Sequence, residues 1–169
     1  MGQRRTVNGN SRMKSQQSVV LVKPDALQRG LLGEIIHRFE RKGIKLIGLK
    51  MMRLTDEVLD QWYAHHKEKA FFGDLKKFMQ SSPIVAMLWE GIDAIPVVRK
   101  IVGATSGREA EAGSIRGDFS MSRQLNLIHA SDGEESAKKE KGLVFSDEEV
   151  VEWQSADECL FYSSEELGE

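Results

Sequence analysis

LNLIHASDGEESAKKEKG, residues 125–142, decides how the chain is organised. Its first part, LNLIHA (125–130), is an apolar run of strand type. Ser131 and Glu134 then stand in the S-x-x-E spacing of a capping box, in which a hydroxyl and a carboxylate answer the unpaired N–H groups of a new helix. That helix is expected to end near Gly142. A strand is thus passed straight to a helix, with His129 at the strand's C-terminal end.

The same alternation recurs upstream. SVVLVK (18–23) is a β-branched run stopped by Pro24, and order is expected to begin at Ser18. Leu31, Leu32, Ile35, Ile36 and Phe39 follow at helical spacing, with Gly43 as the stop. Residues 44–52 read as a second strand. Thr55 caps a helix reaching about His65, and residues 71–80 form another. PIVAMLWE (83–90) is a third strand; Asp93 caps a helix that tolerates Pro96 in its first turn and runs to about Val102. A Gly- and Ser-rich loop spans about 103–124. The order βα–β–αα–β–α–loop–β–α contains no repeat, and favours an α+β sandwich over doubly wound alternation. Three units are expected: residues 1–17 as a disordered arm or non-native remnant (Met13 being a candidate start), 18–142 as the folded domain, and 143–169 as an acidic extension packed on it.

Charge patterning agrees with this division. The formal net charge is −2, from 24 Lys plus Arg against 26 Asp plus Glu. Residues 1–17 carry four basic groups and no acid, and residues 142–169 carry nine acids and no Lys or Arg, so the body between them is net +3. Such a body permits a phosphate-bearing ligand without demanding one. The longest apolar stretch, Ile84 to Trp89, is far short of the roughly 20 residues of a membrane span. The single Cys159 excludes an internal disulfide, no Cys/His metal spacing occurs, and the polar N-terminal stretch has no apolar signal region. A cytoplasmic protein that does not engage membranes is expected.

His129 is the most informative residue. A helix N-terminus beside it offers unpaired N–H groups to an incoming phosphate, and a neutral imidazole is a competent nucleophile. Glu140, further along the helix, can orient the ring if the helix packs back over it. Lys23 at a strand end, Arg99 and Thr105 around a helix end, and Arg116 in the long loop are cations and donors suited to a polyphosphate. No G-x-x-x-x-G-K-[ST] string and no protein-kinase motif set is present, so phosphoryl chemistry here needs another nucleophile, and His129 is the candidate. Asn126 and His129 stand at an odd spacing, so both can serve one site only if Asn126 precedes the strand or sits at a twist, and the former is expected.

VKPDAL (22–27), RGLLGEII (29–36), IRGDFS (115–120) and NLIHASD (126–132) with ES (135–136) closely resemble the nucleoside diphosphate kinases, from about Ser18 to Gly142. The resemblance implies a ferredoxin-like α+β fold, with a four-stranded antiparallel sheet, helices packed on it and a long loop serving the active site and the oligomer. It implies reversible γ-phosphoryl transfer from a nucleoside triphosphate to a diphosphate, by a ping-pong route through a phosphohistidine on His129. Glu140 and Ser131 are then its ring-orienting neighbours. Lys23, Tyr63, Arg99, Thr105, Arg116 and Asn126 fall where the family contacts phosphates, ribose or the reacting centre, and Phe71, with Leu75, where it stacks the base. Mg²⁺ is implied on the nucleotide phosphates rather than on protein ligands, as is a homo-oligomer, a hexamer or tetramer built from dimers.

Three positions depart from the family pattern. Ala112-Gly113 replaces a common Pro-Gly in the long loop, Arg123 stands where the base slot often has a small apolar residue, and the acidic tail is long, with Trp153, Phe161 and Tyr162 to dock it. Other signals read as structural. His65-His66 is a solvated helix end, Trp62, Trp89 and most methionines are packing, and Arg116-Gly117-Asp118 matches an adhesion tripeptide by chance. A non-catalytic nucleotide-binding module would not need His129, Lys23, Arg116, Asn126 and Glu140 together. Nucleic-acid binding would rest on the basic arm alone and is not expected.

Overall fold

Every side chain from Ser18 to Val22 is buried, because the strand they belong to has neighbours on both edges and helices on both faces. This strand, β1 (Ser15–Val22), pairs antiparallel with β3 (Ile84–Ile92) and with β4 (Ile128–Ala130). β2 (Lys45–Met52) pairs antiparallel with β3 and completes a four-stranded sheet of order β2-β3-β1-β4. The structure is a computed structural model that describes residues 13–64 and 67–168. The His65-His66 pair lies outside the described residues.

Side-chain alternation along the strands divides the core in two. Val20, Val22, Met87 and Trp89 face one way and pack with Ile35 and Phe39 of α2 (Leu32–Arg41) and Val98 and Val102 of α5 (Ala94–Val102). Val19, Leu21, Ala86 and Leu88 face the other way. They meet Leu59 and Trp62 of α3 (Asp56–Trp62), Met79 of α4 (Phe72–Gln80) and Val144 of α7 (Glu134–Val144). This is the ferredoxin-like α+β arrangement, with α3 and α4 inserted between β2 and β3.

Several local expectations are corrected. The sheet begins at Ser15 rather than Ser18, because Gln16 and Gln17 keep their amides on Glu134 and Glu90 while their backbones pair with β3. Pro24 not only stops β1 but opens a short helix, α1 (Pro24–Gln28). Residues 115–119 of the expected loop are helical, as α6 (Ile115–Phe119), capped by the Ser114 hydroxyl, which accepts from Gly117 N–H at 3.1 Å. Asp93 precedes α5 in a left-handed conformation, φ 51°, without a side-chain cap. Ser131 does not cap α7; Gly133 holds that position, and the Ser131 hydroxyl is drawn into the site instead. Met51, on the edge strand, is 63% exposed, whereas Met79 and Met87 are fully buried.

Beyond α7 the chain turns through a 3₁₀ turn, Asp147–Glu149, and runs back past β2. Val151 N–H donates to Ile47 C=O at 2.8 Å, and the Trp153 indole N–H to Leu46 C=O at 2.9 Å. Two short helices follow, α8 (Glu158–Phe161) and α9 (Ser164–Leu167). The Phe161 ring lies against Gly43, whose φ of +82° suits a glycine at the end of α2 and whose missing side chain leaves the ring its space. The Tyr162 hydroxyl accepts from Ile92 N–H at 3.3 Å. At the opposite end of the chain, Met13 N–H donates to Glu166 C=O at 3.0 Å.

Candidate active site

The β1–β4 ladder sets the site. His129 pairs across from Leu21, so its side chain leaves the sheet on the face covered by α3 and α7. There Trp62 meets the imidazole edge-on, with ring centroids 5.2 Å apart, and Glu140 of α7 reaches it from above. The Glu140 carboxylate divides its oxygens: Oε1 lies 2.9 Å from His129 Nε2, and Oε2 accepts the Ser131 hydroxyl at 2.6 Å. With Glu140 as acceptor the Nε2 position carries the proton, which leaves the lone pair on Nδ1. α7 does pack back over the ring, as the orienting role of Glu140 requires.

A cavity of about 1110 Å³ opens over His129. Lys23, Tyr63, Phe71, Leu75, Arg99, Thr105, Arg116, Asn126, His129 and Glu140 all line it, so the fold gathers residues from seven separate segments of the chain. Ser131 is the one sequence-predicted residue that does not; it is fully buried behind Glu140.

The cations are held by backbone and amide oxygens. Lys23 Nζ donates to Asn126 Oδ1 at 2.6 Å. Arg116 is buried and its guanidinium donates to three carbonyls: Asn126 at 3.2 Å, Gly103 at 2.9 Å and Ile128 at 2.6 Å. The adhesion-like tripeptide is therefore not on display, and Asp118 is itself paired with Arg38 at 2.6 Å. Asn126 commits both amide hydrogens, to Thr105 C=O at 2.9 Å and Arg123 C=O at 3.0 Å. It lies in the turn before β4, as expected from its odd spacing to His129.

Crowding of like charges shows in the titration of these groups. Burial, then the neighbouring Arg116, bring the Lys23 ammonium down to about 8, against a smaller upward pull from Asp25. Burial and the nearby Arg99 lower Arg116 to about 10. An anion among them would relieve both penalties. Burial and the Glu140 charge push the Tyr63 phenol up to about 12, so it stays a protonated donor. The Asp132 carboxyl, also on the cavity wall, is held below its ordinary range, chiefly by the Ser136 hydroxyl.

Some lining residues escaped the sequence reading. Trp62, read as core, is a wall of the site. Ser136, Lys139 and Leu143 line the cavity with Glu140, and their spacing is the i, i+3, i+4, i+7 of one helical face. Extending that face from Glu140 would have found them. Lys69 comes from the stretch before α4, where local pattern carries no such signal; its ammonium lies 5.8 Å from the Phe71 ring centre.

The family model described as nucleoside diphosphate kinase matches residues 16–150. The nucleoside diphosphate kinase of Staphylothermus marinus is 52% identical over 141 residues, covering 83% of this chain and 100% of its own. The structure of a halophilic nucleoside diphosphate kinase from Halobacterium salinarum in complex with CDP superposes with a TM-score of 0.86 at 42% identity, covering 89% of this chain and 100% of that one. A nucleoside diphosphate kinase family protein from Babesia bovis gives a TM-score of 0.85 at 44% identity, covering 87% and 99%.

Proposed function

The chain belongs to the nucleoside diphosphate kinase family, and from that premise we propose that His129 carries the phosphoryl group between two nucleotides. The observation that supports this most directly is the His129–Glu140 contact at 2.9 Å through Nε2, which leaves Nδ1 as the nucleophilic nitrogen in a cavity whose lining includes Lys23, Arg99 and Arg116.

In the first half-reaction the Nδ1 lone pair forms a bond to the γ-phosphorus of a nucleoside triphosphate. The bond from that phosphorus to the β,γ-bridging oxygen breaks, and the diphosphate leaves with the electron pair. A second nucleoside diphosphate then enters the same cavity. Its terminal phosphate oxygen attacks, the N–P bond breaks, and the pair returns to Nδ1. Glu140 keeps the Nε2 proton in place and balances the positive charge the ring gains, with Ser131 fixing the carboxylate from behind. Lys23, Arg99 and Arg116 neutralise the transferring group, and the Tyr63 and Thr105 hydroxyls donate to neighbouring oxygens. Phe71 and Leu75 offer an apolar face to the base, which reads bases loosely because each has a π surface. Asn126, whose amide is committed to the protein, orients Lys23.

Magnesium is the proposed cofactor. Among the described residues no group of three or more His, Cys, Asp or Glu side chains could hold a metal ion. Of the cavity-wall carboxylates, Asp132, with Glu140 committed to His129 and Ser131, suits an ion that keeps most of its bonds to phosphate and water. Bound there, Mg²⁺ neutralises phosphate charge. A homo-oligomer built from dimers, tetrameric or hexameric, belongs to the same reading; exposed Leu49 and Met51 on the edge strand β2 support it. So does a cytoplasmic location, with an exposed free Cys159. No helix among the described residues is long and apolar enough to cross a membrane.

Incubation with γ-labelled ATP and Mg²⁺ is expected to leave acid-labile, base-stable label on the protein, discharged by GDP. A His129→Ala variant that transfers phosphate at the wild-type rate would overturn the mechanism.

A further inference from the structure

Leu127 has a φ of +71°, a region that leucine rarely enters. Across it, Ile128 N–H donates to Asn126 C=O at 2.8 Å, which closes a three-residue γ-turn of the rare, strained hand. This turn is what allows Asn126 and His129 to reach one cavity, and strained backbone of this kind persists only where the surroundings hold it. Four bonds do so. Arg116 takes the carbonyls of Asn126 and Ile128, Lys23 N–H donates to Leu127 C=O at 2.9 Å, and the Leu127 N–H donates to Asp25 Oδ2 at 3.0 Å.

Asp25 differs from Arg116 and Lys23, the other two residues that make these bonds. It lies on α1, and the other carboxylate oxygen, Oδ1, is buried with no hydrogen-bond partner among the described residues. Leaving an acid oxygen in that state is costly, all the more at the buried first turn of α1, where Lys23, Pro24 and Ala26 are shut off from solvent. The carboxylate is well placed for one task, reception of the N–H at the apex of the turn.

We propose that Asp25 is a positioning residue for phosphoryl transfer, whose carboxylate clamps the Leu127 N–H and so holds the turn that sets Asn126, Arg116 and His129 at the reacting centre. This rests on the reading of His129 as phosphoryl carrier. Asp25 does not line the cavity. Its effect is on the geometry in which the N–P bond forms, so it belongs in kcat and not in nucleotide affinity.

Three variants test it under saturating ATP and GDP with Mg²⁺, each checked for folding by circular dichroism. Asp25→Ala, which removes the acceptor, is expected to lower kcat about 10- to 100-fold, the usual effect of losing a supporting partner, with KM changed less than about threefold. Asp25→Asn retains an oxygen that can accept the N–H and is expected to keep kcat within about threefold of wild type. Asp25→Glu keeps the charge but displaces the oxygens by a methylene, and is expected to lose about tenfold. A purely structural role at the start of α1 would lower the melting temperature of the alanine variant and leave kcat alone. Wild-type kcat in Asp25→Ala or Asp25→Glu, or equal losses in Asp25→Asn and Asp25→Glu, would overturn the proposal. If Asp25→Ala does not fold, the Asn and Glu pair decides. Failure of the wild-type protein to form labelled phosphohistidine would sink the underlying reaction reading instead, a separate result from the same preparation.

Discussion

Asn126 gives every polar atom of its amide to the protein: oxygen to Lys23, hydrogens to Thr105 and Arg123. The side chains around it act as a bonded set, and their predicted behaviour follows from that. Burial and the nearby Arg116 bring Lys23 to about 8 where an ordinary lysine titrates at 10.5, so the phosphate-facing charge is half gone at pH 8, fuller below it and progressively lost above it. kcat/KM should therefore fall along an alkaline limb centred near 8, and Lys23→Arg, which cannot lose its charge in that range, should abolish the limb. The effect on stability has the opposite sign. Between about 8 and 10.5 the unfolded chain holds a proton on this lysine that the folded chain has released, so this group makes the protein more stable as pH rises through that window. Urea midpoints of wild type and Lys23→Gln across the window would show it. Glu140→Gln should slow phosphohistidine formation about 10- to 100-fold in rapid-quench measurements, because a neutral amide no longer balances the ring. At the base slot, Arg123→Ala should raise KM for nucleoside diphosphates about 2- to 5-fold with kcat unchanged, the scale of an exposed cation–π contact.

Among the elements, α6 shows most plainly what a sequence can and cannot reveal. Strands β1, β2 and β3 and helices α2, α3, α4 and α5 follow from apolar spacing, Gly43 and Thr55, since each signal acts within a few residues. α6 was hidden in a Gly- and Ser-rich stretch because its stability comes from packing of Ile115, fully buried in the core, and not from its own five residues. β4 shrank to three residues because the γ-turn at Leu127 takes the preceding ones out of the ladder, a feature no periodicity announces. The Ser131 cap failed for a similar reason. Its oxygen had a better partner in Glu140, nine positions away, than in the helix start beside it. The site residues were legible as a motif; the bonds among them, which set their function, were not. Gly117→Ala tests the closeness of α6 packing. An added methyl would sit 2.0 Å from the Glu111 carbonyl oxygen, so the variant should lose about 1–3 kcal/mol in denaturant unfolding and, with Arg116 displaced, much of its activity.

Across the whole molecule, the acidic chain after α7 covers the β2 end of the sheet. Its hold is local: an indole N–H on Leu46, a backbone N–H on Ile47, Lys45 Nζ on Trp153 C=O at 3.0 Å, and the Phe161 ring on Gly43. Trp153→Ala should lower stability by about 0.5–1.5 kcal/mol, the value of one such bond, with transfer kinetics unaffected, as read by paired urea titration and assay. Sedimentation of the wild-type protein would show the assembly proposed for the β2 edge, where Leu49 and Met51 are exposed. Met13 N–H and Glu166 C=O are 3.0 Å apart, so the strand at the centre of the sheet starts where the tail finishes. The two ends of the described fold therefore lie side by side. Residues 13 and 166 could be joined by a few glycines, and the chain opened in the exposed stretch around Ala112-Gly113, without breaking any strand pairing. Which end is made first would then be a matter of gene order and not of architecture.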